Sequence, residues 1–255
     1  MILAIDIGNT NIVVGCFDKN EVLFVERVST DHKKTELEYA ISLKNVLEIY
    51  RIDPKQVEGG IISSVVPPLT NVLKSSAEKI ISGEVLVVGP GIKTGLNILM
   101  DNPASVGSDL IVDAVAAIHE YPVPLIFIDM GTATTISVVD EEKRYRGGMI
   151  LPGMRVSMDS LTSRTAQLPH ISMEAPKKLI GRNTIDCMKS GMIYGNASCI
   201  DGMIRRIKKE LDRDDITVIA TGGLSKVILP YCEENIIYDN ELLLKGLRLI
   251  YKKNK

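Results

Sequence analysis

Apolar and polar positions follow two rhythms along this chain. Ile2 to Asp6 is a short apolar run closing on an acid, then come Gly8, Asn9 and Thr10, then the β-branched run Asn11 to Phe17. That pattern predicts a strand, a tight turn and a second strand. Glu21 to Ser29 predicts a third strand, and Leu37 to Ile49 carries apolar residues at helical spacing. Gly60 to Val66 predicts a buried strand stopped by Pro67 and Pro68, followed by a helix over Leu69 to Ile81 and a strand over Val85 to Val88. Residues 92–105 predict a loop, and Val106 to His119 a helix ended by Pro122 and Pro124. The rhythm then restarts: a strand over Leu125 to Asp129, the turn Gly131-Thr132-Ala133, and a strand over Thr134 to Val139. A turn at Glu141 to Arg144 leads into Arg146 to Gly153, to which the pattern assigns no element. Helices are predicted over Met154 to Ala166, over Thr184 to Leu211 with a break near Gly191–Gly195, and over Asn240 to Tyr251. Val218 to Ala220 predicts a strand running into Thr221-Gly222-Gly223-Leu224-Ser225. Mixed strands and helices place the chain in the α/β class.

The restart is an internal echo. Ala4 to Val13 and Phe127 to Ile136 share one layout: an apolar strand, an Asp at its end, one apolar residue, a Gly, small polar residues and a β-branched strand. The copies lie about half the chain apart. Glycine permits the tight turn and a close backbone approach to a ligand. The small polar residues offer N–H and hydroxyl groups to phosphate oxygens, and an Asp at the strand end suits a hydrated cation that accompanies phosphate. A single Asp-x-Gly reads equally as a plain turn. Two copies, with Thr221-Gly222-Gly223 after a later strand, point to a nucleotide site.

Composition narrows the classes. The 255 residues carry a formal net charge of −2, without the basic excess that nucleic acid or an anionic membrane selects. Hydrophobic residues at 45% and charged residues at 24% exclude bulk disorder. Trp is absent and Phe occurs three times, too few for a stacking surface for single strands. Cys16, Cys187, Cys199 and Cys232 form no close pairs, and His32, His119 and His170 have no His or Cys at ligand spacing, so neither zinc nor a Cys–His nucleophile is expected. Asp6 interrupts the first apolar run, and no run reaches the ~18 residues of a span, so a cytoplasmic protein is expected.

Further motifs stand in a fixed order: Ser63-Ser64-Val65-Val66-Pro67, Asp101-Asn102-Pro103, Val106-Gly107-Ser108-Asp109, Gly147 to Gly153, Thr165 to Pro169, and Gly181-Arg182-Asn183-Thr184. With the two Asp-x-Gly motifs, they resemble the type III pantothenate kinases of the actin-like ATPase and sugar-kinase superfamily over nearly the whole chain. The resemblance implies two related actin-like (ribonuclease H-like) domains, each a mixed sheet flanked by helices, with a nucleotide cleft between them. Residues 1–118 would carry the first phosphate motif and substrate segment. Residues 119–255 would carry the second phosphate motif, the adenosine motif and a dimer interface. The implied reaction is ATP-dependent phosphorylation of pantothenate, the first step toward coenzyme A, by a homodimer using Mg²⁺ and a monovalent cation, K⁺ or NH₄⁺.

Site residues follow from the same resemblance. Asp6, Ile7, Gly8, Asn9, Thr10, Asn11, Ile12 and Val13, with Thr132, Gly222 and Gly223, would bind ATP. Asp6 would orient Mg²⁺ or its waters, and Asp129 would bind the monovalent cation. Asp109 would be the general base. Met100, Gly107, Ser108, Asp109, Leu110 and Thr184 would meet pantothenate. Read from the residues alone, Asp109 is also a helix-start acid favoured by the macrodipole, and Thr184 is also a helix cap.

Two positions depart from the family pattern: Met100 stands where Tyr is usual and Leu110 where Arg is usual. Asp113 stands where Asn is common. Neither Met nor Leu donates a hydrogen bond to a carboxylate, and losing one charge-assisted bond costs about 1.5–3 kcal/mol. The alternatives are a kinase of altered specificity and a nucleotide-binding regulatory paralogue. Retention of Asp6, Asp109 and Asp129 together favours an enzyme.

Overall fold

The computed structural model describes residues 1–255. In chain order the elements are β1 (Ile2–Ile7), β2 (Asn11–Asp18), β3 (Glu21–Ser29), α1 (Glu36–Ile49), β4 (Gly59–Ser64), α2 (Pro67–Glu78), β5 (Val85–Val87), β6 (Asn97–Ile98) and α3 (Ser108–Glu120). They continue as β7 (Leu125–Met130), β8 (Ala133–Val139), β9 (Arg144–Pro152), α4 (Met154–Ser163), α5 (Thr184–Leu211), β10 (Thr217–Thr221), α6 (Ser225–Ile228), β11 (Ile237–Tyr238) and α7 (Leu242–Asn254). The chain forms two compact units: Met1–Leu96 with Asp101–His119 and Glu241–Lys255, and Asn97–Met100 with Glu120–Asn240.

The first unit is built on a five-stranded sheet in the order β3-β2-β1-β4-β5. β1, β2 and β3 pair antiparallel, while β4 and β5 join β1 in parallel. Strand alternation sorts the side chains. Leu3, Ile5 and Ile7 meet Tyr39, Leu43 and Leu47 of α1 and Leu69 and Leu73 of α2 on one face. Ala4, Phe17 and Ile61 meet Val112 of α3 and Leu244, Leu247 and Ile250 of α7 on the other. By the same alternation Asp6 points to the α3 face. Helix α1 starts on a reciprocal capping box, in which Thr35 accepts from the Glu38 amide and the Glu38 carboxylate accepts from the Thr35 amide.

Helix α7 crosses α3 closely at Gly246. A Cβ there would collide with the Val112 backbone oxygen. Ala is the better helix former by about 1 kcal/mol, but a clash with backbone has no rotamer that relieves it. Gly246→Ala is therefore expected to destabilise the protein by about 1–3 kcal/mol. In thermal unfolding that is a Tm loss of about 2–4 °C per kcal/mol; an unchanged Tm would contradict the close crossing.

The second unit holds a six-stranded sheet, β11-β10-β7-β8-β9-β6. Its β7–β8–β9 meander is antiparallel, and β10 and β11 follow β7 in parallel. Set beside the first sheet, β9-β8-β7-β10-β11 repeats β3-β2-β1-β4-β5 element for element, so the echo in sequence is an echo in topology. The two mixed sheets flanked by helices match the α/β class expected. β6 adds one short parallel strand beyond β9.

Ile193, Ala197, Ile200, Ile204 and Ile207 form an unbroken 4-3-4-3 stripe on α5 and pack against Ile126, Ile128 and Met130 of β7. The expected break near Gly191–Gly195 is absent, because a Cβ at either glycine would meet nothing within 4 Å and the buried stripe holds the helix together. β9 runs through the Gly-rich segment to which the sequence pattern assigned no element. β6 and β11, two residues each, also escaped the pattern. No helix is long and apolar enough to cross a membrane.

Candidate active site

In the first unit, three chain segments converge at the ends of β1 and β4 and the start of α3. β1 ends in a tight turn in which the Gly8 amide donates to the Asn11 carbonyl at 3.1 Å, and a Cβ on Gly8 would lie 2.9 Å from that oxygen. Thr30 braces the turn: its hydroxyl donates to the Gly8 carbonyl at 2.7 Å and its amide to the Thr10 carbonyl at 3.1 Å. Asn9, Thr10 and Asn11 are left exposed at the tip. Asp6 stands in register with Ser63 of β4. Ser63 is fully buried, and its hydroxyl lies 3.0 Å from that of Ser108, the first residue of α3.

Asp109 follows. Its Oδ1 accepts from the Leu110 amide at 2.8 Å, folding the carboxylate back over the helix start. A Cβ at Gly107 would collide with that Oδ1, so glycine is what leaves room for this rotamer. Burial pushes the Asp109 carboxyl above the usual Asp range, against the opposing effect of the amides of Leu110 and of Asp109 itself. The group is a half-buried acid at a helix N-terminus, more basic than an ordinary Asp and suited to taking a proton. Leu110 contributes its amide to Asp109, and its side chain carries no donor. Asp113, one turn on, is fully buried.

The second unit repeats the turn. The Gly131 amide donates to the Ala133 carbonyl at 2.9 Å, and the Gly153 amide to the Thr132 carbonyl at 3.1 Å, which ties the turn to the end of β9. Thr132 is exposed at the tip. Asp129 is in register with Thr135 of β8 on one side and Thr221 of β10 on the other. Gly222 follows with φ of 92°, its missing Cβ directed at Asp129 Oδ1 at 2.5 Å. The structure thus brings Asp129, Thr132 and Gly222 to one end of the second sheet. Met100 lies against Gly147, its sulfur 2.9 Å from where a Cβ would stand at that residue's φ of 118°.

Thr184 lies elsewhere. It is the exposed first residue of α5, capped by Asn183, whose Oδ1 accepts from the Asp186 amide at 2.9 Å. Helix α5 lines a groove with Thr134 and Pro152 through Asn196, Cys199 and Ile200. Thr184 is about 18 Å further along the helix at 1.5 Å per residue.

No group of three or more His, Cys, Asp or Glu stands together as an all-protein metal cage. Burial pushes the Cys16 thiol up to about 11 and Cys232 up to about 12, so neither is a nucleophile near neutrality. The sequence pattern gives Thr30 and Thr70 no role, and shows Thr135 and Thr221 only as members of the two glycine-turn motifs. Ser63 and Ser64 were visible only as part of a motif.

A family model described as type III pantothenate kinase matches residues 2–206. The type III pantothenate kinase of an Exiguobacterium species is 46% identical over 255 residues, covering 100% of this chain and 100% of that one. The one from Halalkalibacterium halodurans is 45% identical over 254 residues, again covering 100% of both. Among solved structures, the ethanolamine utilization protein EutJ of Carboxydothermus hydrogenoformans superposes with a TM-score of 0.55 at 12% identity, covering 97% of this chain and 89% of that one, a likeness of fold alone. Identity at this level over the whole chain, in which two sheets repeat one Asp-x-Gly hairpin and the first turn of α3 carries Asp109, means that this chain belongs to the type III pantothenate kinase family.

Proposed function

We propose that the protein transfers the γ-phosphoryl group of ATP to the primary hydroxyl of pantothenate, at the entry to coenzyme A biosynthesis. The observation that carries this reading is Asp109: a carboxylate made more basic by burial, held at the start of α3 beside the strand ends that bear Asp6 and the first hairpin. Asp109 takes the proton from the hydroxyl as its oxygen attacks phosphorus in line. The turns at Gly8–Asn11 and Gly131–Ala133, with the Thr10 and Thr132 hydroxyls, receive the phosphates, and Gly222–Gly223 the adenosine.

The donor chemistry suits the expected ions. Mg²⁺ is commonly held by one or two carboxylates together with substrate phosphates and waters, not by an all-protein cage. Asp6, a half-buried carboxylate at a strand end, fits that role. For a monovalent cation the candidate is Asp129. Directly opposite it stands Thr135, whose hydroxyl oxygen is buried without a hydrogen-bond partner. These ions would neutralise charge on the polyphosphate. A homodimer through the second unit is supported by its exposed apolar residues, Ile150 at 77% and Ile180 at 81%, with Leu179 and Ile185 also exposed in the segment around the start of α5. Thr184 would meet pantothenate in that assembly. A cytoplasmic location without nucleic-acid or membrane partners agrees with the balanced charge.

The test is ATP- and K⁺-dependent phosphorylation of pantothenate by the purified protein. Turnover no greater than that of an Asp109→Asn control would overturn the reading. Restoring the family's donors with Leu110→Arg and Met100→Tyr is expected to raise kcat/KM by roughly 10- to 100-fold, the equivalent of one charge-assisted bond. An unchanged value would mean that neither position meets the substrate carboxylate.

A further inference from the structure

We propose that the connection from β4 to α2, residues 63–66 with Thr70, is a positioning device that fixes the Asp109 carboxylate relative to the first phosphate hairpin. The inference rests on the kinase reading above and adds residues that do not touch substrate.

Two consecutive residues hold two different elements. The Val65 amide donates to the Ile7 carbonyl at 3.1 Å, immediately before Gly8. The Ser64 amide donates to Ser108 Oγ at 2.9 Å, and Ser108 Oγ lies 2.9 Å from the Ser64 carbonyl, to which it donates, immediately before Asp109. The path from hairpin to base is therefore Ile7, Val65, Ser64 and Ser108, in which the short Ser108 hydroxyl is the single side-chain link. The buried Ser63 hydroxyl, 3.0 Å from Ser108 Oγ, seats the same contact from the strand side.

The bend that makes this possible is tied internally. Ser64 Oγ accepts from the Val66 amide at 3.2 Å and from Thr70 Oγ1 at 2.7 Å. Thr70 sits on the first turns of α2, whose Leu69 and Leu73 are locked in the core. The Thr70 hydroxyl thus transmits the position of a packed helix to Ser64 and through it to Ser108. Phosphoryl transfer is sensitive to such placement, since about 1 Å of misplacement can cost on the order of 100-fold in rate.

The experiment uses the full-length protein with Thr70→Val, which keeps the shape and removes the hydroxyl, and Thr70→Ser, which restores it. The expected result for Thr70→Val is a kcat lower by about 10-fold, with KM for ATP within two-fold of the parent, an unchanged Tm and recovery in Thr70→Ser. Amide hydrogen exchange supplies a readout independent of turnover. Protection at Val65 and Leu110 should fall together in Thr70→Val while protection in the middle of α3 holds. A parental kcat, or a loss of activity matched by a loss of Tm that Thr70→Ser leaves in place, would overturn the proposal. So would unchanged exchange at Val65 and Leu110. Failure of the kinase reading shows separately, as a parent protein without turnover; the exchange measurement still decides whether Thr70 couples the two elements.

Discussion

Asp109→Asn is expected to lower kcat by about 10²- to 10⁴-fold while leaving the protein at least as heat-stable at neutral pH. The two halves of that result share one cause. Burial holds the Asp109 carboxyl above the usual Asp range, so the folded state binds that proton more tightly than the unfolded chain. Such a group contributes stability that is full below the ordinary Asp range and lost as pH rises through the raised folded value. At pH 7 the ionised form is carried at a cost, and Asn removes the charge. Its side-chain oxygen can still accept from the Leu110 amide, which now lies 2.8 Å from Oδ1, so the helix start keeps its cap. Rate and thermal unfolding measured on one preparation decide the matter. A kcat within 10-fold of the parent would remove Asp109 from the chemistry, and a Tm several degrees lower would mean that the charge supports the fold. The acid limb of kcat in the parent should fall above the ordinary Asp range, for the same reason.

Gly222→Ala is expected to be the most disruptive single methyl near the second hairpin. The residue has φ of 92°, where a Cβ costs about 1–2 kcal/mol. That Cβ would also lie 2.5 Å from Asp129 Oδ1 and 2.6 Å from both the amide nitrogen and the carbonyl oxygen of Met130. Met130 ends β7, a central strand of the six-stranded sheet, so the backbone cannot yield without disturbing its pairing to β8 and β10. Overpacking adds about 1–3 kcal/mol. The combined loss, roughly 2–5 kcal/mol, corresponds to a Tm lower by about 4–20 °C. The Asp129 carboxylate must also turn away; on the proposal that it holds the monovalent cation, the K⁺ concentration for half-maximal rate should rise. A variant with parental Tm and parental K⁺ dependence would show that Gly222 does not lie against β7 as described.

The two hairpins were legible because strand alternation, a terminal Asp and a Gly turn coincide in each, and because the motif occurs twice. Helix α5 was legible in extent but not in continuity: glycines at 191 and 195 look like a break until the buried stripe from Ile193 to Ile207 is seen to run past them. β9 was hidden by Gly147 and Gly148 and by its exposed Ile150, which blur the period-2 pattern. At the site, the acids and the hairpin-tip hydroxyls were visible and the bracing hydroxyls were not. Thr30, Ser64, Thr70 and Thr135 acquire their partners from strand register and from the approach of separate elements, and no spacing along the chain encodes either. Helix α7 was legible as a helix, but its packing on the first sheet was not.

That last point bears on how the protein is made. The face of the first sheet that carries Ala4, Phe17 and Ile61 is completed by Leu244, Leu247 and Ile250 of α7. Residues 120–240 can close their own unit as they leave the ribosome. The strands β1 to β4, synthesised well before α7, keep one apolar face uncovered until residues 244–250 have been made. Domains generally fold as units during synthesis, and exposed apolar surface invites aggregation in the interval. The unit whose strands are made before the second hairpin is thus the later to finish folding, and the region around Asp6 and Asp109 is completed only when α7 arrives.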